Sequence, residues 1–330
     1  MAKVTSKDVA AAAGVSQTTV SFVLNGRREH GISDETRELV RATAQRLGYV
    51  PSAAARSLRS GRSDLVLCLV SDLVVSEAGE RFILNLSAEL ESAGYACVFL
   101  YLHHANDKPL ADLWRHVGPE VIVTFRECAP EDAEAIRRAG IGLINGIFTA
   151  ETDPSGSTGG DQHAIGRLQL EHLAERGHRK IGIATIDDPR ETLFTWPRLE
   201  GVRARCRELG LDEPVVTVME YTRQSAAAAV RGWLDAGVTA VAAYNDLTAL
   251  AVLAAATVQG VRVPDDLALI GVDDVSIASL SAPALTTVAI DFDLAAQHLA
   301  QAVLRLMDAS TPPPEPAPAP ILRLVVREST

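Results

Sequence analysis

Val4-Thr5-Ser6-Lys7-Asp8-Val9-Ala10-Ala11-Ala12-Ala13-Gly14-Val15-Ser16-Gln17-Thr18-Thr19-Val20-Ser21-Phe22-Val23-Leu24-Asn25-Gly26 is the stretch that decides how this chain folds at its start. Thr5 can cap a helix, with Asp8 three residues on as its capping-box partner. That helix runs over 6–13 with Val9, Ala10 and Ala13 inward, and Gly14 supplies the left-handed turn that ends it. Ser16 caps a second helix over 17–24. Val20, Val23 and Leu24 face its core side, Gln17, Thr18 and Ser21 point outward, and Asn25-Gly26 ends it. Ser33 caps a third helix, whose Asp34 and Glu35 suit the positive end of the dipole; Leu47-Gly48 closes it. Two short helices joined by a glycine turn, the second opening on short polar side chains, form the geometry that enters a DNA major groove. On helix lengths alone, a generic three-helix bundle fits equally well.

Charge separates this head from the rest. The chain of 330 residues carries a formal net charge of −11. Residues 1–62 hold ten Lys and Arg against five Asp and Glu, a formal +5. The remainder holds 21 bases and 37 acids, a formal −16. A basic head on an acidic body is expected when one module meets polyphosphate and the other does not. No run approaches the ~18 apolar residues of a membrane span, and the polar start Met1–Asp8 lacks a signal-peptide core. No membrane partner is expected, and the protein is expected in the cytoplasm, on the nucleoid.

From residue 64 onward, short apolar runs alternate with amphipathic stretches. Strands are expected over 65–70, 96–100, 121–124, 141–144, 180–185, 215–218, 239–243, 267–270 and 286–290. Helices are expected over 80–93, 131–139, 161–176, 198–209, 224–236, 246–258 and 293–308. This alternation predicts parallel sheets with helices on both faces, and nine or more strands fit two sheets better than one. Residues 153–160 read as a loop between the halves. Residues 311–320 hold six of the sixteen prolines and read as an extended connector before a last strand over 321–327. Cys68, Cys97, Cys128 and Cys206 lie far apart, without a CxxC pair, and read as buried thiols.

The head motif resembles the N-terminal signature of the LacI/GalR family of bacterial repressors. Ser33-Asp34-Glu35-Thr36-Arg37, Leu47-Gly48-Tyr49-Val50-Pro51 and Ala53-Ala54-Ala55-Arg56-Ser57-Leu58-Arg59 continue the likeness. It runs to the C-terminus, ending in Arg323-Leu324-Val325-Val326-Arg327-Glu328-Ser329-Thr330. The resemblance implies an all-α helix-turn-helix head over 1–50, a hinge helix and linker over 51–62, and a body over 63–330. The body would be periplasmic-binding-protein-like, with two doubly wound parallel-sheet subdomains. The N-subdomain would take about 63–159 plus 292–320, and the C-subdomain about 160–291 plus 321–330.

By that resemblance Gln17 and Thr18 read base edges, with Phe22 at the third reading position. The family often has a basic or polar residue there, whereas Phe22 offers only apolar contact, such as with a thymine methyl, or packs inward. Thr5, Ser16, Thr19, Ser21 and Asn25 match phosphate contacts, which position without specifying sequence. Ala55 and Leu58 match the hinge helix, Leu58 as a minor-groove wedge. That helix is too short to be stable alone, so its order is expected to depend on DNA and on the spacing of the two bodies.

In the body, Arg198, Asn245, Asp273 and Tyr221 match effector-binding positions, the tyrosine as a stacking group. Weaker candidates are Ser71, Asp72 and Leu73 after the first strand, Phe82 at the start of the next helix, Phe125 and Arg126 after the third strand, and Trp196 facing the cleft. Asp246 is expected to cap a helix. His172 and His178 resemble framework positions, and His103-His104 reads as a solvated strand end. The implied partners are double-stranded operator DNA, a small-molecule effector (a sugar or sugar derivative ahead of a purine or nucleoside) and a second copy of the chain. Helix 80–93 and the 108–117 region are the expected dimer interface. No cofactor or metal is expected.

Two rivals remain at this level. A solute-binding protein without DNA function fits the body but not the basic head. A nucleotide-dependent enzyme would need more than Gly140-Ile141-Gly142-Leu143-Ile144-Asn145-Gly146, which lacks the GxGxxG spacing and does not sit between strand and helix. No Ser-His-Asp, paired-carboxylate or Walker pattern emerges, so no catalytic residues are expected.

Overall fold

A computed structural model describes residues 4–24, 31–49, 63–71, 76–102, 110–147, 161–308 and 321–330. It divides into two compact units, residues 1–64 and residues 65–330.

The first unit is built on α1 (Ser6–Ala13), α2 (Gln17–Leu24) and α3 (Asp34–Arg46). The Asp8 carboxylate accepts from both the backbone N–H and the hydroxyl of Thr5, at 2.8 and 2.7 Å. These bonds hold the Asp8 carboxyl below its ordinary range. Gly14 closes α1 at φ +66°, a left-handed turn that glycine enters without strain. Ser16 Oγ accepts from Thr19 N at 3.0 Å and caps α2. Ser33 Oγ accepts from Thr36 N and caps α3. Val9, Ala10, Ala13, Val20, Val23, Val40 and Ala44 form the core, so three helices with two or three apolar contacts each share one small interior.

The second unit carries two sheets. The first is built from β1 (Leu65–Ser71), α4 (Glu77–Ser92), β2 (Ala96–Leu102), α5 (Leu110–Val117), β3 (Val121–Thr124), α6 (Pro130–Arg138) and β4 (Gly142–Ile144). Its order is β2-β1-β3-β4, all parallel, with Leu67 opposite both Val98 and Ile122.

The second sheet follows with α7 (Gln162–Glu175), β5 (Ile181–Ile186), α8 (Thr192–Leu209), β6 (Val215–Met219), α9 (Arg223–Asp235), β7 (Ala240–Ala243), α10 (Asp246–Val258), β8 (Ala268–Val272) and β9 (Thr286–Ile290). The chain then runs through α11 (Phe292–Met307), which packs on α4, and closes with β10 (Leu322–Val325). The order is β10-β9-β8-β7-β5-β6, parallel except for β10 against β9. Strand order reverses at β1/β3 in one sheet and β5/β7 in the other, and such switch points open crevices at the carboxyl ends of strands.

The α7/α8 crossing is unusually close. A Cβ on Gly166 would lie 2.0 Å from the Arg198 carbonyl oxygen, and one on Gly201 would lie 2.1 Å from that of His163. Glycine is what allows these backbones to touch. The expected start of α8 at 198 is corrected to Thr192, because the helix takes Pro197 into its interior. A proline normally marks a helix start or break; here a 3-10 turn, Pro189–Glu191, feeds directly into the helix before it.

All four cysteines are free thiols. Cys68 and Cys97, distant in sequence, sit on neighbouring strands with sulfurs 3.6 Å apart. Among the described residues, no helix is long and apolar enough to cross a membrane.

Candidate functional site

The exposed start of α2 is the candidate DNA surface. Gln17 and Thr18 are exposed, Thr19 and Ser21 are half-buried, and Phe22 is half-buried on the same helix. The Gln17 amide Nε2 donates to Ser6 Oγ at 2.8 Å, which lays the side chain against α1. The hydroxyls of Ser16 and Thr19 pair at 2.8 Å. Asn25, Ala55 and Leu58 lie outside the described residues, as does Asp72 in the body. Ser71 is the last residue of β1.

The body holds a cavity, partly open to solvent, at the carboxyl ends of both sheets' strands. From the first sheet come Val70 at the end of β1, Phe125 after β3, and Ser76, Ala78, Gly79, Phe82 and Ile83 around the start of α4. From the second come Gln162, Glu191, Phe194, Arg198, Tyr244, Asn245 and Asp273, with Ile290 and Phe292 at the crossover. Phe82 meets Phe125 and Phe292 edge-on, with ring centroids 6.1 and 6.4 Å apart. The cavity therefore has an aromatic wall facing a polar one.

Arg198 organises the polar wall. It is only 6% exposed. Its Nε donates to Gln162 Oε1 at 2.9 Å and its Nη1 to the Tyr244 carbonyl at 2.6 Å. Nη2 lies 3.9 Å from Asp273 Oδ1. The guanidinium sits 5.0 Å from the centroid of the Tyr244 ring and 5.8 Å from that of Phe194. The Tyr244 hydroxyl donates to Glu191 Oε2.

Asp273 follows β8 with φ +104°, and Asp274 follows at +51°, left-handed conformations that cost a non-glycine residue about 1–3 kcal/mol each. A bond of 2.5 Å from Arg327 Nη2 to Asp274 Oδ1 ties that turn down. Burial pushes the Asp273 carboxyl up to about 6, against the pull of Arg198. Burial likewise raises Glu191 and lifts the Tyr244 hydroxyl well above its ordinary value.

Asn245 both lines the cavity and caps α10, its Oδ1 accepting from Thr248 N at 2.8 Å. The expected cap, Asp246, is corrected: it is the first helical residue and is fully buried behind the site. Its carboxylate accepts from Thr287 Oγ1 at 2.6 Å and Val275 N at 3.0 Å, and burial raises it to about 7.

The cavity thus brings together Arg198, Asn245, Asp273, Phe82 and Phe125. Tyr221 and Trp196 are not among its lining residues. Tyr221 hydrogen-bonds Thr248 Oγ1 at 3.1 Å, and Trp196 is 60% exposed. Glu191, Tyr244, Gln162 and Phe194 line the cavity without having been singled out from the sequence. Tyr244 could have been found as the residue between β7 and the asparagine cap. Glu191 gave no signal, because it sits in a 3-10 turn that has no apolar periodicity. Among the described residues, no group of three or more metal-ligating side chains occurs.

Comparisons with known proteins agree with this fold. A family model of bacterial regulatory proteins of the lacI family matches residues 5–52, and a periplasmic binding protein-like domain matches 170–330. The HTH-type transcriptional regulator CelR of Thermobifida fusca is 32% identical over 93% of this chain and 92% of its own. The HTH-type transcriptional repressor PurR of Haemophilus influenzae is 29% identical over 86% of this chain and 85% of its own. Among solved structures, a transcriptional regulator CelR–cellobiose complex has a TM-score of 0.64 at 27% identity, covering 99% of this chain and 100% of that one. The lac repressor dimer bound to operator and an anti-inducer shares the fold, with a TM-score of 0.77 at 24% identity over 99% of both chains. A helix-turn-helix head joined to a periplasmic-binding-protein-like body, with a relative this similar across nearly its full length, makes the chain a member of the LacI family of bacterial transcriptional regulators.

Proposed function

We propose that this regulator is a repressor that binds a pseudo-palindromic operator as a homodimer and is controlled by a sugar or sugar derivative held in the body cavity. Gln17, Thr18 and Phe22 read bases in the major groove. Thr5, Ser16, Thr19, Ser21 and Asn25 meet phosphates, and Ala55 and Leu58 enter the minor groove at the dyad. One head supplies limited discrimination; two on one face of the duplex supply far more. Residues 77–92, where Leu84 is 61% exposed, and the 108–117 region are the proposed dimer surface.

The observation that carries the effector assignment is the pairing of Arg198 and Asp273 in an aromatic-walled cavity. A donor and an acceptor 3.9 Å apart suit neighbouring hydroxyls, and flat rings suit the apolar faces of a sugar. The CelR relative solved with cellobiose supports the same class. Arg198, Asn245 and Asp273 grip the ligand, with Phe82 and Phe125 against it. Ser71, Asp72, Tyr221 and Trp196 remain secondary contacts of this proposal. The effector acts by binding one arrangement of the two lobes better than the other, which alters the spacing of the hinge helices.

The test is to titrate the full-length protein onto an inverted-repeat library at several salt concentrations, with and without cellobiose, other saccharides and purines. Salt-sensitive selection of an inverted repeat, shifted at least about tenfold by a saccharide, is expected. No preference for any inverted repeat, with or without these compounds, overturns the proposal.

A further inference from the structure

We infer that Glu191 gives the charged side chains around a gripped ligand a net negative sum, restricting the cavity to uncharged polyhydroxylated ligands and barring their phosphorylated counterparts. This rests on reading the cavity as the effector site.

Among the described residues, the charged side chains lining the cavity are Glu191, Arg198 and Asp273, two carboxyls against one guanidinium. Arg198 is already committed to Gln162, the Tyr244 carbonyl and Asp273. Glu191 is 6% exposed, and its one direct donor among the cavity side chains is the Tyr244 hydroxyl, which is neutral. Arg190, its neighbour, turns its guanidinium onto Asp188 at 2.6 Å.

The carboxyl is also built into place. Asp188 Oδ1 caps the turn through Arg190 N at 2.9 Å, and Arg126, from the opposite lobe, donates to the Arg190 carbonyl at 2.6 Å. The 3-10 turn that presents Glu191 is thus held from both sides of the cavity.

Glu191 sets the sign of that side-chain charge. Arg198 and Asp273 cancel formally, so without Glu191 the side chains lining the cavity carry no net charge to oppose a phosphate. With it, a phosphate meets two largely buried carboxyls, where like charges repel strongly. A neutral polyol meets no such penalty, since carboxylates only accept hydrogen bonds and hydroxyls can donate them.

The test uses matched neutral and phosphorylated pairs, glucose with glucose 6-phosphate and cellobiose with its 6-phosphate, by calorimetry on the full-length protein. In the wild type a neutral sugar is expected to bind about a hundredfold more tightly than its phosphate ester. Glu191→Gln keeps the side-chain shape and an oxygen for Tyr244, and is expected to narrow that ratio by about tenfold while changing neutral-sugar affinity much less. A purely structural role would weaken both members of a pair together and leave the ratio unchanged, which overturns the inference. Equal binding of both members by the wild type overturns it whether or not the variant folds, and leaves the effector reading standing. If neither member of any pair binds the wild type, the effector reading fails and this inference with it.

Discussion

The head and the cavity use polar side chains in opposite ways. On α2, Gln17 and Thr18 stand exposed, carried by a small apolar core to which they contribute nothing. In the cavity, Arg198 and Glu191 are almost wholly buried, and Asp273 is held in a strained turn between them and Arg327's partner Asp274. A side chain waiting in water is nearly free of folding duties, so a reading head can change its specificity without changing its stability. A buried polar side chain must be satisfied before any ligand arrives, so the groups proposed to grip the effector also hold the lobe together. Substitutions in the body should therefore disturb stability and function together, and substitutions on α2 should separate them.

The sharpest way to break this contrast is at the α7/α8 crossing that carries Arg198. A side chain on Gly201 has no room, because its Cβ would lie 2.1 Å from a backbone carbonyl. Gly201→Val is expected to cost about 4 kcal/mol or more in chemical denaturation of the body, the upper end for overpacking. A loss under about 1 kcal/mol would mean that the helices do not approach this closely.

Arg198→Ala comes next. It removes the one guanidinium facing two buried carboxyls, and breaking a buried ion pair from one side costs about 3–5 kcal/mol. The response of operator binding to effector is expected to vanish, with affinity for operator retained in the absence of effector. Loss of both activities in a still-folded protein would contradict the assignment of recognition to separate units.

Two buried acids set a pH test. Asp273 and Asp246 titrate near 6 and 7 in the fold, above the ordinary carboxylate range. Folding therefore strengthens their hold on a proton. The stability they contribute through protonation is complete below the unfolded value, near 4, and is lost as pH rises through 6 to 7. Subtracting the stability profile of Asp246→Asn from that of the wild type should reveal this slope between about pH 4 and 7; a flat difference would place the Asp246 carboxyl in an ordinary environment. The effector runs the other way. A ligand hydroxyl donating to ionised Asp273 should bind more weakly as pH falls below 6, approaching tenfold per pH unit, and Asp273→Asn should flatten that dependence.

What could be read from the sequence follows the same divide. The caps at Thr5, Ser16 and Ser33 and the turn at Gly14 are local chemistry, so all three head helices were legible to within a residue or two. Strand positions in the body were legible too, because parallel strands are continuous apolar runs. The cavity was legible only in part. Arg198, Asn245 and Asp273 came from resemblance, and the last two sit predictably after strands. Glu191 came from neither source: its role depends on a 3-10 turn pinned by Asp188 and Arg126, and Arg126 lies more than sixty residues away in sequence. The role of Asp246 was misread because both Asn245 and Asp246 can cap, and choosing between them requires knowing that Thr287 and Val275 N surround the second.

The smallest effect on the fold is expected at Gln17. Its amide makes one bond to Ser6 on an exposed surface, so Gln17→Ala should leave thermal stability within about 0.5 kcal/mol of the wild type. If Gln17 reads a base as proposed, the same change removes a contact worth about 1–3 kcal/mol from each head. Operator affinity should therefore fall at least about tenfold in a dimer while binding to random duplex, which rests on phosphate contacts, changes little. Equal losses on operator and random DNA would make Gln17 a positioning residue rather than a reader. A loss of stability matching the loss of affinity would erase the contrast between head and cavity, since it would show that the reading surface, like the effector wall, is part of what holds its unit together.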